Sequence, residues 1–268
     1  MGSASDTLIL RVKNGRIEEL VDQVATEKTF TIYVNGEVLV SLLCTPTELD
    51  SMAVGFLLSE GLLMPYDRKS LISVDVDEDA ASVSVVIGGP ALKKEQLYRR
   101  KTISSGCGQG VTFTSVQDLS SIPMNRTSLN ISSELVRRLL HEFKDLSDLY
   151  AATGGVHSAA LAEDSRIIMF SEDLGRHNAV DKLIGKAFIA GIPMNNKILI
   201  SSGRVSGEIM TKVIRSRIPV LISRASPTCM SVSYAEDHGI TLIGFARGSR
   251  MNIYTHPWRI LKKEFKKE

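Results

Sequence analysis

Several features that would narrow the reading at once are missing. There are only three cysteines, Cys44, Cys107 and Cys229, too few and too scattered for a disulfide framework or a zinc site of paired cysteines. A reducing, cytoplasmic setting is therefore expected. No apolar run approaches the roughly 18 residues that cross a bilayer. Met1 to Asp6 lacks the basic and apolar parts of a signal peptide, so neither secretion nor membrane spanning is expected. Neither sign of charge dominates: 32 Lys and Arg against 30 Asp and Glu leave a formal charge of +2. That balance does not suggest a dedicated nucleic-acid or membrane-surface protein, and any anion site must be a local concentration of charge. There is no internal repeat and no Gly-x-x-x-x-Gly-Lys-Ser/Thr loop. The residues two places after the five histidines are Phe143, Ala159, Ala179, Ile240 and Trp258, so the His-x-Glu of a zinc deaminase is absent, and no metal of its own is expected.

What is present is an ordinary globular chain of 268 residues, 43% hydrophobic and 23% charged, long enough to bury a core without staples. Asn35-Gly36 between the alternating runs Thr29–Val34 and Glu37–Leu42 predicts a hairpin with a type I′ turn. Thr45-Pro46-Thr47-Glu48 reads as a capping box opening a helix to Glu60, closed by Gly61. Leu71–Val76 and Ser82–Ile87 read as a second strand pair. After an irregular stretch from Lys101 to Arg126, Ser132 or Ser133 caps a helix through about Lys144, and strands follow at His157–Ala162 and Arg166–Ser171. Strand and helix then alternate: helix 178–190, strand Lys197–Ser201, helix 207–217, strand Val220–Ser223, helix 228–237, strand Ile240–Phe245. The all-apolar strands point to a parallel sheet covered on both faces. The fold class expected is α/β, a three-layer α/β/α domain over residues 126–268 preceded by a smaller α+β domain over residues 1–125.

Polar residues collect in the loops that leave successive strands. These are Glu172-Asp173-Leu174-Gly175-Arg176-His177-Asn178, Ser202-Gly203-Arg204, Ser226-Pro227-Thr228 and Arg247-Gly248-Ser249-Arg250. In a parallel sheet these ends line one edge, and three of the loops open helices whose free N–H groups point into the same crevice. Arginines, hydroxyls and backbone donors gathered there suit a phosphorylated ligand. Read singly, each loop is also an ordinary helix cap or turn, and His177 a capping or packing residue.

Cys107 stands in Gly106-Cys107-Gly108-Gln109-Gly110. A cysteine between glycines cannot pack as a small core hydrophobe, which is the reading given to Cys44 and Cys229. Its sulfur is left unshielded, with backbone amides free to approach it. With a positive group near, this makes a reactive thiol; the alternative is a flexible loop that happens to contain a cysteine.

The block Glu172–Lys182, with Ser202-Gly203-Arg204, Ser226-Pro227-Thr228 and Gly244-Phe245-Ala246-Arg247, resembles the signature of the FdhD/NarQ family, the formate dehydrogenase accessory sulfurtransferases. The resemblance implies a cytidine-deaminase-like domain without its zinc, a cytoplasmic and often dimeric protein, and a persulfide accepted from a cysteine desulfurase. The sulfur then passes to the molybdenum cofactor, bis-molybdopterin guanine dinucleotide, which formate dehydrogenase requires in sulfurated form. Cys107 falls on the first cysteine of the family's Gly-Cys-Gly-x-Cys-Gly. Gly110 occupies the place of the second, so a step needing a paired thiol does not carry over.

By the same resemblance the cofactor segment falls on Phe245-Ala246-Arg247-Gly248-Ser249-Arg250. Arg204, Arg247 and Arg250 would hold phosphates, and Ser226 and Thr228 would supply neutral donors. Asp173 and Asp181 would either meet a guanine edge or cap and orient the helix. Gly175, Arg176, Asn178, Lys182, Ser202, Gly203 and Pro227 complete the expected cofactor site. His177 is a candidate proton shuttle. A binding protein that chaperones the cofactor without sulfur chemistry is the alternative reading, and a nucleotide-hydrolysing enzyme is a further one.

Overall fold

The structure, a computed structural model, describes residues 2–65, 68–88, 102–103, 111–112 and 119–260. The expected reactive cysteine, Cys107, lies outside the described residues.

Asn35 and Gly36 both adopt positive φ (50° and 83°) and join β3 (Lys28–Val34) to β4 (Glu37–Cys44), as the dipeptide predicts. With β5 (Leu71–Asp77) and β6 (Ser82–Ile87) they form a four-stranded sheet in the order β4-β3-β6-β5, where only β3 and β6 run parallel. The same Asn-Gly chemistry at Asn14-Gly15, unnoticed in the sequence, joins β1 (Ala4–Lys13) to β2 (Arg16–Ala25) in a separate two-stranded ribbon. Two short paired strands, β7 (Thr102–Ile103) and β8 (Val111–Thr112), follow.

The helix α1 (Leu49–Glu60) ends on Gly61 as expected, but the capping box does not form. Glu48 sits in the left-handed region with φ 51° and no side chain caps the helix. The Thr45–Glu48 segment is engaged instead by residues of the second half of the chain.

That second half is a six-stranded sheet in the order β10-β9-β11-β12-β13-β14. β9 (His157–Glu163) and β10 (Arg166–Asp173) form an antiparallel hairpin, and β9 also pairs antiparallel with β11 (Ile198–Ser201). β11, β12 (Val220–Ser223) and β13 (Thr241–Arg247) are parallel, and β14 (Arg250–Ile253) turns back on β13. The sheet is mixed rather than parallel throughout. Because β9 is the only reversed strand among the five from β9 to β13, β10, β11, β12 and β13 still point the same way and end on one edge.

Strand residues alternate between two cores. Leu161, Leu199, Leu221 and Leu242 face one layer, while Ala160, Ile200, Ile222 and Ile243 face the other. The first layer holds α4 (Arg176–Ile189), α5 (Gly207–Arg215) and α6 (Cys229–Asp237). The second holds α2 (Ser133–Asp145), capped by Ser132, whose Oγ accepts from the Leu135 amide, through Val136, Leu139 and Phe143. A short α3 (Asp148–Thr153) follows it. The architecture is three-layer α/β/α with the smaller sheet attached.

The attachment is intimate. α1 lies across α4 so closely that a Cβ on Gly185 would stand 1.9 Å from the Ser51 carbonyl oxygen, and one on Gly55 would stand 1.8 Å from that of Asp181. Phe30, Ile32, Phe56 and Val83 from the first half share one core with Leu183, Leu199 and Leu221 from the second. The stretches divided at residue 125 in the sequence reading are thus packed around common apolar contacts.

Candidate functional site

The edge where β10, β11, β12 and β13 end carries the loops singled out from the sequence, and they touch one another. The Val205 amide donates to the Ser226 carbonyl (3.0 Å) and the Thr228 amide to the Val205 carbonyl (2.9 Å), so the loops after β11 and β12 run side by side. The Phe245 amide donates to Ala225 O (3.0 Å) and Arg247 Nε to Arg224 O (2.9 Å), which brings in the end of β13. The Cβ position of Gly203 lies 2.8 Å from Arg176 Cβ. Only glycine lets the arginine at the start of α4 lie against the β11 loop. The four loops therefore lie side by side along one edge.

α5 and α6 present their N-termini to it, and both are capped by hydroxyls. Ser206 Oγ accepts from Ile209 N, and Thr228 with Ser231 forms a reciprocal capping box. Gly175 caps α4 without a side chain. Arg204, Arg247 and Arg250 are exposed on the rim. The Arg250 guanidinium lies 5.7 Å from the centre of the Phe245 ring. Phe245 itself has φ 52°, a conformation that L side chains rarely adopt. Such strain in an aromatic residue persists where surrounding structure over-determines it, and it concentrates at ligand clamps. The Gly248-Ser249 turn beyond it is open, and Gly248 also has positive φ. Ala246 points away into the second core, fully buried.

Two histidines lie within this frame. His177 Nε2 is 3.0 Å from a Glu208 carboxylate oxygen and 3.5 Å from Ser206 Oγ. Burial pushes its proton affinity below that of a free histidine, partly opposed by the hydrogen bond to Glu208. His157, at the head of β9, stands with Nδ1 3.2 Å from Ser202 Oγ, which also accepts from the Ser158 amide. Its affinity is lowered too, first by burial and then by Arg176, His177 and Arg204. In both, burial disfavours the charged ring. His157 and Glu208 were not found from the sequence. His157 begins a reversed strand, and nothing local marks it as part of the edge.

The acidic and basic residues of the Glu172–Lys182 block divide sharply. Asp173 is fully buried: its carboxylate accepts from the amides of Thr45 (3.0 Å) and Gly175 (2.8 Å) and from Asn178 Nδ2 (2.9 Å), and it pairs with Lys182 Nζ at 2.7 Å. Lys182, equally buried, also donates to the carbonyls of Thr45 and Glu172. Asn178 Nδ2 reaches Leu43 O as well (2.9 Å). Asp181 accepts from Ser59 Oγ (2.5 Å) and from Lys212 Nζ (2.7 Å). Of the two roles open to the aspartates, the geometry matches capping and orienting α4 and fastening α1 to it. Their carboxylates are spent on protein donors, and the same holds for Lys182.

The other cysteines differ from expectation in one case. Cys44 is buried, and burial reinforced by Asp173 pushes its thiol up to about 12, which makes it inert. Cys229, read as a core residue, is exposed at the first position of α6.

The FdhD/NarQ family pattern matches residues 25–261. The chain belongs to the FdhD/NarQ family. It is 36% identical over 253 residues to the sulfur carrier protein FdhD of Geobacillus kaustophilus, covering 94% of this chain and 95% of that one. It is also 36% identical over 261 residues to the sulfur carrier protein FdhD of Halalkalibacterium halodurans, covering 96% of each. A crystal structure of a putative formate dehydrogenase accessory protein from Desulfotalea psychrophila shares the fold, with a TM-score of 0.80 at 24% identity over 97% of this chain and all of that one. Among the described residues of this FdhD/NarQ protein, no group of three or more His, Cys, Asp or Glu is placed to hold a metal ion, and no helix is long and apolar enough to cross a membrane.

Proposed function

We propose that this protein is a sulfur carrier that takes sulfur from a cysteine desulfurase on Cys107 and delivers it to the molybdenum cofactor, bis-molybdopterin guanine dinucleotide, for formate dehydrogenase. The Cys107 thiolate attacks the outer sulfur of the desulfurase persulfide. A new S–S bond forms at Cys107, and the desulfurase cysteine leaves as its thiolate. The cofactor, as the bound substrate, lies in the crevice, with Arg204, Arg247 and Arg250 on its phosphates, the N-termini of α5 and α6 adding backbone donors, and Phe245 against a planar ring. The observation that carries this reading is the convergence of four separately coded loops on one arginine-rimmed edge in a chain whose curated relatives are sulfur carriers. His177 and His157 stand beside it as the groups through which protons would move during the transfer.

Mass spectrometry of the protein incubated with a desulfurase and cysteine is expected to find one added sulfur, mapped to Cys107. Cys107→Ser is expected to abolish the gain without lowering the melting temperature, while Cys44→Ser and Cys229→Ser keep it. Full loading of Cys107→Ser refutes the assignment. Crevice binding without any sulfur gain favours the cofactor-chaperone reading.

The working unit in this reading is a homodimer formed through the β1–β2 ribbon. Leu8, Leu10 and Val12 share one ribbon face with Val21 and Ile17 opposite, all exposed, and with Glu19 between these two, opposite Leu10, whereas an isolated two-stranded ribbon is marginal in water. Lys13 and Arg16 lie at its tip, and Asp6 and Asp22 towards its base. A two-fold axis that stacks two ribbons head to tail sets tip against base and apolar face against apolar face, as an isologous interface requires.

A further inference from the structure

Away from the crevice, the opposite edge of the sheet, where β11 and β12 begin, carries a second concavity. It encloses about 540 Å³, within the range of small-ligand sites. Its walls come from the ends of α4 and α5 and the segment before α2. Three arginines line it, Arg68, Arg126 and Arg217, and among the described residues no aspartate or glutamate does.

Helix C-termini attract cations, and that explains part of the charge. Arg68 donates to the Ile189 carbonyl at the end of α4. Arg217 Nη1 donates to the Pro123 carbonyl at 2.6 Å. Both acceptors are neutral, and among the described residues neither guanidinium has an ion-pair partner. Arg126, exposed, makes no hydrogen bond or ion pair among the described residues, and capping accounts for it not at all. Ser216, only 3% exposed, lines the same cavity, and its hydroxyl has no hydrogen-bond partner. A buried hydroxyl left unpaired is costly, and a ligand oxygen would satisfy it. Across from these groups Phe188, Ile192 and Met194 form an apolar wall.

We propose that this cavity binds a small, multiply charged oxyanion, a phosphate- or carboxylate-bearing molecule whose carbon skeleton rests on the apolar wall. Guanidinium groups bind both kinds of oxyanion through paired N–H donors. The site is independent of the sulfur-transfer crevice, since α4 and α5 present their opposite ends to the two places.

Calorimetric titration with pyrophosphate and with citrate tests it, using the wild-type protein, Arg126→Glu, Ser216→Ala and Arg204→Ala. At least one probe is expected to occupy this site saturably. Arg126→Glu should weaken that site tenfold or more with an unchanged melting temperature, Ser216→Ala should weaken it severalfold, and Arg204→Ala, altered only at the crevice, should leave it intact. Preference for pyrophosphate or for citrate then names the phosphate or the carboxylate class. The proposal is overturned if neither probe binds, if Arg126→Glu changes nothing, or if all binding disappears in Arg204→Ala. The last outcome would assign the anion to the crevice alone.

Discussion

Asp173 and Lys182 form an ion pair of 2.7 Å in which neither side chain reaches solvent. The pair reaches across the fold, because Asp173 takes the Thr45 amide and Lys182 the Thr45 carbonyl. It clamps the entry to α1 onto the start of α4, and the crevice loop from Gly175 to Asn178 is hung from the same carboxylate. Removing one partner leaves a buried charge without compensation, which costs about 3–5 kcal/mol. Asp173→Ala and Lys182→Met are each expected to destabilise by that order in urea unfolding. The double variant should lose much less than the sum, since neither buried charge then remains. Strict additivity would show that the two residues act separately.

In the proposed reading the Phe245 ring, carried on backbone at positive φ, would stack on the base of the cofactor. GDP, a fragment of the proposed cofactor, is expected to bind more tightly than ADP in calorimetry. Phe245→Ala should lose roughly tenfold in affinity, the value of about 1–1.5 kcal/mol for an aromatic stack. Arg204→Ala should weaken both nucleotides alike. Equal affinities for GDP and ADP remove base reading but leave a phosphate site.

Acid sensitivity follows from His157 and His177, whose proton affinities are lowered by burial. The unfolded chain takes up these protons near pH 6.5, while the folded chain holds fewer. Stability therefore rises with pH through the window just below 6.5 and is fully present above it. Urea midpoints measured between pH 7.5 and 5.5 should fall on the acid side. His157→Gln and His177→Gln should each flatten that fall. A profile unchanged in both variants would assign the acid loss to other groups.

The ribbon makes the dimer testable without disturbing the core. Leu10→Glu and Ile17→Arg place charges on its exposed apolar face. Light scattering is expected to show a monomer for each, with the melting transition of the core retained. A dimer that survives both substitutions lies elsewhere on the surface.

Local chemistry explains why so much of the fold was legible. Asn35-Gly36 specified its turn because few residues accept two successive positive φ values. The helix expected over 178–190 is found at Arg176–Ile189, where Val180, Leu183, Ile184, Ala187 and Phe188 stand at helical spacing and are all buried. The polar loops share one edge because the strands they follow share a direction, which the reversed β9 does not alter. The ribbon passed unnoticed although Asn14-Gly15 repeats the same turn, since its apolar residues are turned outward and no buried face marks it.

The sequence by itself determined the strands, the helices, the polar loops and the family to which they belong, because each depends on neighbours within a few residues. Tertiary structure alone decided what those residues do once assembled. Thr45 looks like a helix cap, yet it serves as a ligand for Asp173 and Lys182 some 128 and 137 residues away. Asp181 looks like a crevice carboxylate, yet it is consumed by Ser59 and Lys212. The second face of α4, polar in sequence, is buried because α1 approaches at Gly55 and Gly185. Such pairings follow from packing two halves of the chain together, and no local pattern encodes which distant partner will satisfy a buried charge.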